Sequence, residues 1–245
     1  MNNEKRRSKK IERLKLPKLF HETVGRRIAE FKAKAVDARL KELQHGEYYL
    51  KEKPIFISQL AGAKPSMTKG FYGEITDRKA RERFGANSNR EFSYWGWRAC
   101  GIVDLQMILA TLHHDGFSKT TMDLVEEGLK LEGYDVANDI GWYHKALASL
   151  GRKYGLESTV KKFIPSSKIA EEIIDGKYVL ASIKSEMGGH LLLVYGFRLG
   201  SEGLKGFWLH DPNTYNCWGQ NSFVAKDNFD ALFTRRVITF EKGGN

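Results

Sequence analysis

Three side chains in this sequence have the chemical types of a hydrolytic catalytic site: Cys100, His190 and Asp211. Cys100 stands at the predicted start of an apolar helix, where free backbone N–H groups and the positive end of the helix dipole favour a thiolate. His190 begins one apolar strand and Asp211 ends the next, with a turn-rich loop over residues 199–203 between them. The pattern predicts a cysteine nucleophile, an imidazole base and a carboxylate that orients the base.

The two strands on either side of this loop predict how the imidazole and the carboxylate meet. If the strands form a hairpin centred near Ser201, residue 190 faces residue 212 and residue 191 faces residue 211. Both side chains then lie at the same end of one ladder. The carboxylate can accept a hydrogen bond from one imidazole nitrogen and leave the other nitrogen for the thiol.

Each of these residues also has a purely structural interpretation. A free cysteine is commonly buried and inert, a lone histidine at a strand end is usually structural, and Asp-Pro usually marks a turn. The triad hypothesis therefore depends on the coincidence of the parts. Cys217 is the weaker nucleophile, since it follows a polar loop and no helix begins there. The sequence has no CxxC, no HxxxH and no acidic cluster, so we expect no metal ion and no cofactor.

Composition is that of a soluble globular protein. The chain has 245 residues, of which 41% are hydrophobic, enough for one sizeable core with an extension. Only two cysteines are present, so we expect free thiols and a reducing, cytoplasmic location. No apolar run approaches the roughly 20 residues needed to cross a bilayer, and no apolar segment follows the basic start. We therefore expect neither a transmembrane segment nor a signal peptide.

The net charge of +10 belongs mainly to the N-terminal arm, because residues 1–45 hold 14 Lys/Arg and 6 Asp/Glu. We expect disorder over residues 1–10. Good helix formers from Ile11 to Gln44 predict a basic helix that starts at Pro17 and ends at Gly46. One apolar stripe of this helix is expected to pack on the main domain: Phe20, Val24, Ile28, Phe31, Ala35, Leu40 and Leu43. The alternatives are an arm that binds an anionic partner, either nucleic acid or a membrane surface, and an inhibitory pro-segment.

Helical patterns precede β patterns along the rest of the chain, which predicts an α+β fold with an antiparallel sheet. A strand is predicted over 54–60, followed by a long connection over 61–92 in which Thr76 caps a short helix that Gly85 ends. The further helices are predicted over 100–114, 120–131, 142–154, about 167–175 and within 222–233. The further strands are predicted over 156–163, 178–184, 190–199, 204–210 and 235–240.

Three motifs resemble those of a known group of enzymes. Residues 95–101 (WGWRACG), 189–196 (GHLLLVYG) and 210–213 (HDPN) are similar, in order and interval, to motifs of the papain-like cysteine peptidases related to the bacteriocin-processing, double-glycine peptidases. The resemblance covers about residues 54–241. It implies a papain-like α+β fold, in which an N-terminal helical part with the Cys helix packs on an antiparallel sheet.

The resemblance also implies a role for each matching residue. Cys100 would be the nucleophile, His190 the general base and then the general acid, and Asp211 the residue that orients His190. The backbone N–H of Cys100 would be one oxyanion donor. This family places a Gln shortly before the Cys as the second donor. Residues 90–99 contain no Gln, so Gln59 is the candidate, and the 61–92 segment is then interpreted as an insertion.

The implied organisation is a basic helical extension over residues 1–46 and a peptidase domain over residues 47–245. The function implied is cysteine peptidase activity on a peptide or protein substrate, through an acyl-thioester. Two alternatives use the same fold: acyl or amide transfer at the same site, and a non-catalytic binding module. The latter is favoured by Ile102 where the family has Pro. The candidates for lining the substrate cleft are Tyr94, Trp95, Trp97 and Gly189.

Overall fold

The computed structural model describes residues 23–65, 73–139, 141–185, 188–214 and 219–244. The helices are α1 over residues 23–41, α2 Arg78–Phe84, α3 Asn89–Gly96, α4 Cys100–His113, α5 Thr121–Lys130, α6 His144–Lys153, α7 Ser167–Ile174 and α8 Lys226–Leu232. The strands are β1 Gly46–Tyr49, β2 Leu156–Lys162, β3 Tyr178–Ser185, β4 Gly188–Gly200, β5 Gly203–His210, β6 Ser222–Ala225 and β7 Phe233–Lys242.

All seven strands belong to one antiparallel sheet in the order β2-β7-β3-β4-β5-β6, and β1 pairs with β4. Strand β5 pairs with one edge of β4 at residues 196–199, so β1 must pair with the other edge there. This is the edge that β3 occupies at residues 188–194. Most of the helices precede the four consecutive strands β3 to β6 along the chain, and β1 and β2 come earlier. The predicted α+β class with an antiparallel sheet is confirmed.

Helix α4 is apolar around most of its circumference, and a helix of this kind must be buried on most sides. Ile102, Leu105 and Met107 have no exposed surface. The helix packs against β4 and β3, so its first residue lies beside the start of β4. The predicted start of this helix at Cys100 is confirmed.

Gly101 determines how closely α4 and β4 approach each other. A Cβ at this position would lie 2.6 Å from Cδ1 of Leu191 and 2.7 Å from Cδ1 of Leu147. Real Cβ contacts are longer, so any larger residue must push the helix from the strand or distort both leucines. The glycine thus holds Cys100 against the strand that carries His190.

Replacing Gly101 with alanine is expected to lower the free energy of unfolding by about 1–3 kcal/mol, because the added methyl overpacks this contact. Urea unfolding followed by circular dichroism measures the change. Gly189→Ala is the matched control, since no atom lies within 4 Å of the added Cβ. Its stability should stay within about 0.5 kcal/mol of the wild type. Equal unfolding midpoints for the two variants would contradict the close-packing explanation.

Over most of its length, helix α1 buries a different face from the one predicted. Only the end of the predicted stripe, Leu40 and Leu43, packs against the core. Ala29 and Val36 are buried, whereas Val24 and Ile28 are exposed and Phe31 is 81% exposed. The reason is a close contact at Gly25, where an added Cβ would lie 2.3 Å from the Phe163 ring. The helix lies on the domain through small residues, which turns the larger apolar stripe outward.

Within the predicted arm, the segment 1–10, the start of the helix and Phe20 lie outside the described residues. An anionic partner for the arm stays a prediction. Within the described ranges, no helix is long and apolar enough to span a membrane.

The predicted strand over 54–60 is wrong. Its backbone groups bond outside any ladder: the Ile55 N–H donates to Oγ1 of Thr111 at 3.0 Å, and the Gln59 N–H donates to the carbonyl of Pro212 at 2.9 Å. The apolar run serves burial and not strand pairing, because Pro54 and Leu60 are buried and Phe56 and Ile57 pack partly buried against the core.

The connection over 61–92 is more structured than predicted. Asp77, not Thr76, caps α2, because its carboxylate accepts from the Ala80 N–H, while Gly85 ends the helix in the left-handed conformation as predicted. Ile75 and Phe84 are fully buried. Helix α3 and strands β1 and β6 were not predicted from the sequence. That the segment is an insertion remains a proposal.

Candidate active site

The three predicted residues of the triad come together in the structure. Cys100 begins α4, His190 lies near the start of β4, and Asp211 follows the last residue of β5. Nε2 of His190 lies 2.8 Å from Oδ1 of Asp211. The same ring hydrogen-bonds to the sulfur of Cys100. Because Nε2 bonds to Asp211, Nδ1 is the ring nitrogen that remains for the sulfur. The imidazole therefore connects the thiol and the carboxylate.

The predicted register of the hairpin is wrong, although the predicted contact forms. The pairing of β4 with β5 shifts between residues 194 and 196 and again between 198 and 199, and the ladder ends at Leu193 opposite His210. Bulges of this kind bend and twist a strand pair. Residue 190 therefore does not face residue 212 across a ladder. Instead, Asp211 lies just beyond the last pair and reaches back to the imidazole.

Electrostatics within this chain favour a thiolate and an imidazolium. Burial raises the pKa of the Cys100 thiol, but the hydrogen bond and the charge of His190, with the N–H groups of Leu191 and Gly101, lower it overall. Burial lowers the pKa of His190, but the bonds to Asp211 and Cys100 raise it well above its usual value. Burial also raises the pKa of Asp211, and the bond to His190 outweighs this and lowers it.

Gln59 lies in the same site although 41 positions separate it from Cys100 in the sequence. The side chain is 2% exposed and lines the same cleft as Cys100. Its Nε2 donates to Oδ1 of Asn213 at 3.0 Å, and its Oε1 has no partner among the described residues. The N–H that it donates to Pro212 fixes the backbone beside Asp211. Gln59 and Cys100 thus line one cleft, and the Gln59 side chain carries N–H groups of the type that an oxyanion site requires.

The site opens into a cleft with a volume of about 820 Å³. Of the four residues predicted to line it, Trp97 and Gly189 do so. The other two have packing roles and lie outside the lining. Trp95 is buried edge-on against Tyr134, with ring centroids 5.3 Å apart, and the Tyr94 ring lies 4.1 Å from the Arg98 guanidinium. The assignment of Trp95 and Tyr94 to the cleft is therefore corrected.

Sequence reasoning missed Asp104 and Asn213. Asp104 follows Cys100 by one helical turn and is fully buried, and neither carboxylate oxygen has a partner among the described residues. Burial, followed by the negative charge of Cys100, raises its pKa well above the usual value. An acidic residue in an otherwise apolar helix was a signal that could have been used. Asn213 belongs to the HDPN motif, and only the fold shows that it receives Gln59.

Two further predictions concern metal ions and Cys217. The described part of the chain contains no group of three or more His, Cys, Asp or Glu side chains that could hold a metal ion. Cys217 lies outside the described residues.

Comparison with known proteins finds similarity only among solved structures. No family model and no curated protein matches this chain. The peptidase domain of ComA, a bifunctional ABC transporter of Streptococcus, is 18% identical with a TM-score of 0.42, over 59% of this chain and 92% of that one. A double-glycine motif protease from an AMS/PCAT transporter, in complex with its leader peptide, is 18% identical with a TM-score of 0.40, over 58% and 84%.

A third similar structure covers more of the chain. A protein of Bacillus anthracis described as a C39-like peptidase is 12% identical with a TM-score of 0.47, over 80% of this chain and 98% of that one. By their descriptions, these three structures are peptidases or peptidase domains.

Proposed function

We propose that this protein is a cysteine hydrolase that cleaves peptide bonds. The observation that carries the proposal is the connected set of Cys100, His190 and Asp211 at the wall of an open cleft. A thiolate at a helix start, held by an imidazolium that a carboxylate orients, is an activated nucleophile.

In the proposed reaction, the Cys100 thiolate attacks the carbonyl carbon of a peptide bond and forms a tetrahedral oxyanion. The Cys100 N–H and Nε2 of Gln59 are the proposed donors to that oxygen. The C–N bond then breaks, and the leaving amine takes the imidazolium proton of His190, which leaves an acyl-thioester. A water molecule gives a proton to the neutral imidazole and attacks the thioester, which releases the carboxylic acid product and restores the thiolate.

The same intermediate permits the second candidate, acyl transfer, when an amine replaces water. A non-catalytic binding module is the third, and it requires that no thioester forms. The intact connection of the three residues favours the enzyme, since a binding role needs no nucleophile with a lowered pKa.

A library of ten-residue peptides, analysed by mass spectrometry, tests the proposal. We expect cleavage by the wild type, an acyl adduct on Cys100 after rapid acid quench, and loss of at least about 10⁴-fold in rate in Cys100→Ala. Cys217→Ser is the matched control and should retain cleavage. Added hydroxylamine or glycine methyl ester distinguishes transfer from hydrolysis by the product formed. Absence of both cleavage and adduct would overturn the proposal and leave the binding module.

A further inference from the structure

One wall of the cleft carries a set of cations that the proposed triad does not use. The wall is formed by α6 and by the β2, β7 and β3 strands, and its basic side chains are all exposed: Lys145, Lys162, Lys184 and Arg236. Asp139 is the only acidic residue among the described residues of the lining, and its Oδ1 accepts from Nε of Arg98 at 2.7 Å. The four cations therefore have no acidic counterpart within the described lining.

Two of these cations occupy an unfavourable arrangement. Lys162 and Arg236 are register partners in the antiparallel pair of β2 and β7. Like charges directly opposite each other in such a pair destabilise the sheet. They also act on His144, whose pKa is lowered to about 4 by burial and by Arg236 and Lys162, so that this imidazole is neutral at pH 7. The repulsion between these two charges weakens the sheet, and an anion bound in the cleft would reduce that repulsion.

The distances along the sheet relate this wall to the triad. His190 on β4 lies opposite Ile183 on β3, so Lys184 is one position from this pair. The next two strands of the sheet are β7, which carries Arg236, and β2, which carries Lys162. Strands lie about 4.8 Å apart. The three cations on the sheet therefore extend over roughly 15 Å from the strand of His190, which is three strand spacings. An extended peptide rises about 3.3 Å per residue, so this span corresponds to four or five residues.

We propose that the wall of Lys145, Lys162, Lys184 and Arg236 binds the acidic side chains of the substrate. The cleft takes a peptide that carries Asp or Glu within about five residues of the bond to be cleaved. This inference rests on the proposed function for the position of the bond, but binding of an acidic peptide can be measured without cleavage.

The test measures binding to the full chain carrying Cys100→Ala, by fluorescence anisotropy. The probes are three labelled ten-residue peptides of Ala, Gly and Leu that differ only in three positions, occupied by Glu, Gln or Lys. We expect the Glu peptide to bind about 10-fold or more tightly than the Gln peptide in 50 mM salt. We expect this preference to fall in 500 mM salt, where the Debye length is only a few Å.

Charge reversal identifies the wall. In the Lys162→Glu/Arg236→Glu variant, we expect the Lys peptide to bind more tightly than the Glu peptide. Lys242→Glu is the matched control, because residue 242 lies on the same strand as Arg236, is exposed, and does not line the cleft. This control should keep the preference for Glu. Lys184→Gln removes one charge without reversing it and should weaken binding of the Glu peptide about threefold. This variant keeps the test decisive if the double variant does not fold.

The outcomes separate the two proposals. Equal binding of the three peptides, or an unchanged Glu preference in the charge-reversed variant, overturns the acidic-substrate proposal even if the wild type cleaves peptides. Tight binding of a single-stranded oligonucleotide without binding of the Glu peptide overturns it as well. Charge-selective binding by a chain that cleaves no peptide and forms no adduct supports the wall as a binding site and contradicts the hydrolase.

Discussion

Alkylation of Cys100 by iodoacetamide is expected to slow by about two orders of magnitude at pH 6 when His190 is replaced with alanine. The imidazolium lowers the pKa of Cys100 through a hydrogen bond and its charge. A thiol with an ordinary pKa near 8.5 is only about 0.3% ionised at pH 6. Loss of the pair therefore removes nearly all of the thiolate. The rate falls by less than the thiolate fraction, because a thiol of lower pKa is also a weaker nucleophile.

The rate is measured from pH 4 to 10 by mass spectrometry in a Cys217→Ser background, so that only one thiol reacts. His113→Ala is the matched control, since His113 is exposed at the other end of α4. We expect the wild type and this control to react at pH 6, and His190→Ala to react only as the pH approaches 8.5. A pH profile unchanged by His190→Ala would show that no ion pair exists and would remove the basis of the hydrolase proposal.

The second large effect concerns stability. Asp104→Asn is expected to increase the free energy of unfolding relative to the wild type, by up to about 1.4 kcal/mol for each pH unit above the unfolded-state pKa. The folded pKa of Asp104 is raised, above all by burial. Above about pH 3.9 the unfolded chain loses a proton that the folded chain keeps, so this group makes the wild type less stable as the pH rises towards the folded pKa. Asparagine has no such titration.

Urea unfolding at each pH unit from 4 to 8 measures the difference between the two proteins. Asp123→Asn is the matched control with the opposite sign. The pKa of Asp123 is lowered, first by the Thr120 N–H, so its contribution is present above the unfolded pKa and is lost as the pH falls. The control should therefore be less stable than the wild type at pH 7. Parallel wild-type and Asp104→Asn curves between pH 4 and 8 would contradict a raised pKa for Asp104.

Features determined by local sequence were predictable. The apolar run after Cys100 determined the start of α4, and the turn-rich loop between two apolar strands determined the β4–β5 hairpin. These signals depend on contacts between near neighbours in the chain. They were sufficient to place His190 and Asp211 at the same end of one hairpin, whereas the position of Cys100 beside them depends on the packing of α4 on β4. The antiparallel class of the sheet followed from the order of helices and strands.

Features determined by distant contacts were not predictable in the same way. The register near His190 depends on two bulges, for which the sequence has no clear signal. The buried face of α1 depends on the contact between Gly25 and Phe163. The basic wall combines residues from four elements, spread over residues 145–236, and only the strand order makes them neighbours. The hydrophobic periodicity of a single segment cannot predict a surface of this kind.

The link between residues 58–59 and the segment after β5 has a consequence for the order in which the fold assembles. The hydrogen bond from Gln59 to Asn213 joins residues 154 positions apart, whereas β4 and β5 are joined by a tight turn. Closing so long a loop costs more conformational entropy than closing a hairpin, and the N-terminal segment is synthesised first. A growing chain thus contains Cys100 and His190 before it contains Asn213. The coil around Gln59 can form this bond only after Asn213 has been synthesised, so the complete site forms late in folding.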